Sequence, residues 1–97
     1  METVEMAREK WDYAKERLYR IERKLKKFPL YIKLRETEID KKRGLLRNDE
    51  CMFRDAEKRR GEVLEKLQET PLYIAYEEAL REAKKAACNL YMARKSA

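Results

Sequence analysis

Ninety-seven residues is the length of one domain, and a chain this short buries only about 60–70% of its unfolded surface, so its core is thin. Charged side chains make up 45% of it, 25 basic against 19 acidic, with two glycines and two prolines, a composition of long helices rather than of a sheet. There is no histidine, two cysteines cannot complete a zinc site, and the carboxylates alternate with lysine and arginine. An enzyme, a metal or cofactor protein and a small-molecule substrate are therefore not expected.

No stretch of 18 apolar residues occurs and no apolar run follows the first residues, so neither a membrane span nor a secretion signal is expected. Two cysteines are too few for a disulfide framework and suit a reducing cytoplasm. Trp11, six tyrosines and regular apolar spacing argue against disorder.

The first element carries Val4, Ala7, Trp11, Ala14, Leu18, Ile21, Leu25 and Phe28, in alternating steps of three and four. This is a heptad seam, and it predicts a helix from about Thr3, an N-cap residue, to Lys27. Pro29 biases Phe28 away from helical geometry, and a new helix begins at the proline. Pro71, preceded by the N-cap candidate Thr70, opens the last helix, which carries Leu72, Tyr76, Ala79, Ala83, Ala86, Leu90 and Ala93. Its small residues allow close approach of a neighbour.

The tetrapeptide Pro-Leu-Tyr-Ile occurs at 29–32 and again at 71–74, and the 42-residue offset aligns Trp11 with Phe53, Ala14 with Ala56, Ile21 with Val63 and Leu25 with Leu67. The chain reads as a tandem helix-turn-helix repeat, about 6–47 and 48–89, within one all-helical domain, 1–97. Tyr31 and Tyr73 are then rim residues of a duplicated corner.

Between the two corners the local signals favour a break near Gly44–Asn48: Lys41, Lys42 and Arg43 complement a helix C-terminus, Gly44 caps it, and Asn48–Glu50 starts another helix. A tertiary argument favours continuity. If the first helix folds back at residues 28–29, Leu25 meets Ile32, Leu18 meets Ile39, Trp11 meets Leu46 and Val4 meets Phe53. The fold class is thus all-α, an antiparallel, coiled-coil-like bundle of long helices. Three helices with a middle one from about 29 to 69 are expected, with four the alternative if the chain breaks at Gly44–Asn48.

Two-helix ends leave part of a seam uncovered. Ala7, Ala14 and Ile21 form such a stripe, and a second copy of the chain is the expected cover. Residues 20–36 carry a net charge of +5 and residues 62–78 a net of −4, which places a basic tip and an acidic tip on the molecule. The function this supports is a protein-interaction module, scaffold, adaptor or small regulatory subunit, that self-associates through its seams and its oppositely charged turns. An alternative puts nucleic acid on the basic turn, with Arg23, Lys24, Lys26, Lys27, Lys33 and Arg35 on phosphates and Phe28 and Tyr31 stacking on bases. Cys51 and Cys88 fall at similar heights in a second hairpin and are expected as small buried residues, close enough for a redox cross-link.

Overall fold

A computed structural model describes residues 3–96, which form four helices: α1 Val4–Lys26, α2 Pro29–Leu46, α3 Glu50–Gln68 and α4 Pro71–Ser96. They pack in two antiparallel pairs, α1 with α4 and α2 with α3. Helices that follow one another across a proline touch only where they join.

The boundaries follow from local chemistry. Thr3 is extended and its hydroxyl accepts a hydrogen bond from Met6 N at 3.2 Å, satisfying an orphan donor of α1. Pro29 forces Phe28 into extended backbone, φ −79° and ψ 126°, and then occupies the first turn of α2, where its missing N–H costs nothing. At the other corner the Thr70 hydroxyl donates to the Leu67 carbonyl at 2.6 Å and accepts from Tyr73 N at 3.4 Å.

The middle helix breaks. Asn48 takes the left-handed conformation, φ 53°, with its N–H on the Leu45 carbonyl and the Asp49 N–H on the Gly44 carbonyl. This is the Schellman pattern, closed by asparagine instead of glycine. Asp49 then caps α3 by accepting from Met52 N at 3.1 Å. Gly44 itself stays helical and buried.

Continuity through 44–49 was inferred from α1 folding back on α2, and that premise fails. Only Lys27 and Phe28 separate α1 from α2, and they bend the path without reversing it. Ile32, Ile39 and Leu46, the partners expected for α1, remain exposed instead. The cover for α1 comes from the far end of the chain, α4.

Cross-helix ion pairs show one register along the whole molecule: Arg17 with Glu82, Glu38 with Arg60, Asp40 with Arg59 and Lys41 with Glu57 have partner numbers totalling 98 or 99. The chain therefore reverses once, at 47–49, and both arms bend at the same level, where Phe28–Pro29 faces Thr70–Pro71. The result measures 54 × 28 × 17 Å, with a radius of gyration of 18.1 Å. A compact chain of this length would have about 12.5 Å.

The bend is the best-packed region. Leu25, Leu34 and Leu67 form its buried centre, ringed by Phe28, Leu30, Tyr31, Val63, Leu64, Leu72, Tyr73 and Tyr76. Burying one leucine side chain fully contributes roughly 1.5–3 kcal/mol, and Leu25 and Leu67 are 1% and 0% exposed. Tyr76 also touches the second cluster, Ala14, Leu18, Ala79 and Ala83, which joins α1 to α4. Beyond the bend, α2 and α3 meet through Thr37, Gly44 and Ala56. No large apolar side chain is fully covered there.

Candidate functional site

The two charged turns lie side by side at the bend, not at opposite ends, because Phe28, Leu30 and Tyr31 share one cluster with Leu72, Tyr73 and Tyr76. The expectation of a basic tip and an acidic tip is corrected accordingly. It assumed that each proline corner ends a hairpin, whereas each only bends an arm.

Arg23, Lys24, Lys26, Lys27, Lys33 and Arg35 are all exposed, and among the described residues none of them forms an ion pair. Arg23, Lys24 and Lys26 occupy the last turn of α1, where cations favour the helix dipole. Phe28 and Tyr31 are half-buried and pack against the bend cluster. Tyr73 and Tyr76 pack against each other with ring centres 5.9 Å apart and planes tilted by 42°. Burial holds both phenols above the ordinary value of 10.0, with Glu77 adding to the effect at Tyr73 and Glu22 at Tyr76.

Ala7, Ala14 and Ile21 are not an open stripe. Ala7 and Ala14 are buried, and Ile21 packs against the cluster that Ala14 and Leu18 form with Ala79 and Ala83. The spacing marked an inward face correctly, but α4 covers it.

Open surface remains in two grooves and along one helix edge. A groove of about 590 Å³ runs between α1 and α4, floored by Ala7, Ala14 and Ala86 and walled by Met6, Tyr13, Glu9 and Lys85. A smaller one between α2 and α3, about 270 Å³, is lined by residues such as Lys33, Asp40, Arg59, Glu62 and Val63. On the outer edge of α2, Ile32, Ile39 and Leu46 recur every seven residues. They lie opposite the face that carries Leu34, Thr37 and Gly44. Leu46 is 88% exposed and Ile39 50%.

Sequence reasoning placed that second stripe in the core. The signal against it was available: Leu30, Leu34, Thr37 and Gly44 already supply α2 with one inward face, and 32, 39 and 46 point about 180° away from it.

Trp11 is half-buried, with the Lys15 ammonium 4.2 Å from its ring centre. Phe53 is capped in the same way by Lys41 at 5.3 Å. Cys51 and Cys88 are both exposed free thiols, on helices that touch only at the bend, so they are neither buried nor neighbours. They sat together only under the back-folded pairing of α3 with α4.

Among the described residues no three His, Cys, Asp or Glu side chains gather as a metal site requires. No helix among them is long and apolar enough to cross a membrane. Comparison with protein-family models, with curated proteins and with solved structures returns no match.

Proposed function

We propose that this protein is a non-enzymatic interaction module, a scaffold, adaptor or small regulatory subunit, that associates with itself through uncovered helix faces. The observation that carries the reading is surface. The chain exposes 7733 Å², whereas a compact monomer of 11.8 kDa exposes about 5,900 Å². The surface is larger by about 1,800 Å², and large apolar side chains such as Ile39, Leu46, Tyr13 and Met6 are exposed on it.

The architecture is read as a tandem duplication with coiled-coil-like seams. Two equivalences at the 42-residue offset support it: Ala14 and Ala56 are both buried, as are Leu25 and Leu67. Pro29 and Pro71 both open a helix. A duplicated unit pairing antiparallel with its twin leaves two helix pairs end to end, each only two helices thick. Such a body hides little of its own apolar surface, and a partner completes it. Two exposed thiols suit a reducing, cytoplasmic setting.

Sedimentation velocity from 1 to 100 µM tests this reading. Concentration-dependent growth beyond the monomer supports it, and an invariant 11.8 kDa species removes it. A nucleic-acid role rests on the six unpaired cations at the bend alone. It requires retention on heparin that falls steeply between 50 and 200 mM salt, and free passage through heparin ends it.

A further inference from the structure

The outward face of α1 carries a single ridge of charge. Glu5, Glu9, Asp12 and Glu16 are followed along it by Arg20, Arg23 and Lys27, all exposed and all opposite the buried Ala7, Ala14, Leu18 and Leu25. Their spacing reads the same from either end, four, three, four, and the sign of the charge inverts about Glu16. The helix dipole favours acids in the first turn and cations in the last, which covers Glu5 and Arg23 but not Glu9, Asp12 or Arg20. Asp12 and Glu16 have partners within the helix, Lys15 at 3.8 Å and Arg20 at 3.6 Å. Among the described residues, Glu5, Glu9, Arg23 and Lys27 form no ion pair.

We propose that this ridge docks on the same ridge of a second copy, antiparallel, about a two-fold axis at Glu16. This rests on the self-association reading and names its surface and its partner. In this register Glu5 lies level with the partner's Lys27, Glu9 with the partner's Arg23 and Asp12 with the partner's Arg20, since each pair of numbers totals 32. The axis repeats all three pairs, so the acidic half of each ridge meets the basic half of the other. An in-register parallel pairing sets like charge on like charge along the whole length.

The rest of the face accepts this arrangement. At the axis Glu16 meets its own copy, and each carboxylate already has Arg20 of its own helix beside it. Tyr13 and Tyr19 lie on opposite shoulders of the ridge, 68% and 50% exposed, so the two copies of each bracket the axis and add apolar surface to the contact. Arg8 comes level with the partner's Lys26 on one rim, but both are exposed and lie about 80° round the helix from the ridge, where they extend into solvent. One helix against one helix is a small contact, so the dimer is of the reversible kind in which charge sets partner and orientation. Because the axis falls midway along α1, the α2–α3 halves of the two copies project in opposite directions.

Two pairs of charge reversals at exposed positions test the contact without disturbing the core. Glu9→Lys with Asp12→Lys makes the ridge mostly basic, and Arg20→Glu with Arg23→Glu makes it mostly acidic. Each double variant alone is expected to weaken dimerisation about 100-fold in sedimentation equilibrium, with the far-ultraviolet spectrum unchanged. The arginine variant lowers the net charge of +6, so general repulsion does not account for its loss. Mixing the two double variants is the decisive arm. Each new lysine then faces a new glutamate, while Arg20 and Arg23 of one chain face Asp12 and Glu9 of the other, so a heterodimer forms at concentrations where each variant alone is monomeric. A wild-type dimer that neither double variant weakens, or one lost in both and not regained on mixing, overturns the docking while self-association through another face stands. A wild-type chain that stays monomeric overturns both.

Discussion

Gly44 on α2 and Phe53 on α3 bring two backbones into contact: a Cβ at Gly44 would lie 2.8 Å from Phe53 N and 3.1 Å from Phe53 Cα. The neighbour is main chain and cannot rotate away. Gly61, on the exposed side of α3, has nothing within 4 Å of its Cβ position. The same substitution is therefore expected to act in opposite directions. Gly44→Ala should destabilise by about 1–3 kcal/mol through overpacking, while Gly61→Ala should stabilise by about 0.5–1 kcal/mol through helix propensity. Urea midpoints of the two variants check this.

The reversal at 47–49 depends on Asn48 in the left-handed region and on the Asp49 carboxylate capping α3. Asn48→Gly is expected to be neutral or slightly stabilising, because glycine reaches that conformation without strain. Asn48→Val should cost about 1–2 kcal/mol, and Asp49→Ala about 1 kcal/mol. Thermal melts distinguish them. Equal stability of the glycine and valine variants would mean that Asn48 is not left-handed.

Leu67 lies at the centre of the bend with no exposed surface. Leu67→Ala should cost about 2–5 kcal/mol, a large share of the stability of so small a chain. Leu45→Ala, at a side chain 65% exposed, serves as the control and should change the melting temperature little.

Helix starts were legible because single residues decide them: Thr3 starts α1, and Pro29 and Pro71 open α2 and α4. The break at Asn48–Asp49 had local signals, but the fold-back argument outweighed them and gave one continuous middle helix instead. The pairing of helices was not legible. Ala7, Ala14, Leu18 and Leu25 declare an inward face, but a stripe does not say which helix it meets. The fold-back at Phe28–Pro29 placed α2 against α1, and the apolar Ile32, Ile39 and Leu46 fitted that choice. What decides against it is the shape of a two-residue joint, a backbone property that side-chain periodicity does not encode. The same error moved the charged turns to the ends and brought Cys51 near Cys88. The groove became visible only once α4 was known to lie along α1, since its floor comes from both helices.

Packing thins with distance from the bend, where α2 and α3 are joined by Thr37, Gly44, Ala56 and three cross-helix ion pairs exposed to solvent. Exposed pairs contribute little and are screened by salt. Amide exchange in the monomer should therefore be fastest in residues 41–57 and slowest around Leu25 and Leu67. Uniform protection along α3 would contradict this gradient.

Tyr73 and Tyr76 stay neutral in the fold because burial, then Glu77 and Glu22 respectively, disfavour their phenolates. Their folded pKa values lie above the unfolded value of 10.0. The associated stability is complete below pH 10 and is lost as pH rises through the folded values. Alkaline unfolding monitored by circular dichroism should begin above about pH 10 and move to higher pH in Tyr73→Phe and Tyr76→Phe.

Small-angle X-ray scattering at 50–100 µM reads mass and shape together. The account predicts a forward scattering corresponding to two chains and a particle longer than one bent hairpin. A profile matching one chain of 11.8 kDa with a radius of gyration near 18.1 Å at every concentration would contradict it.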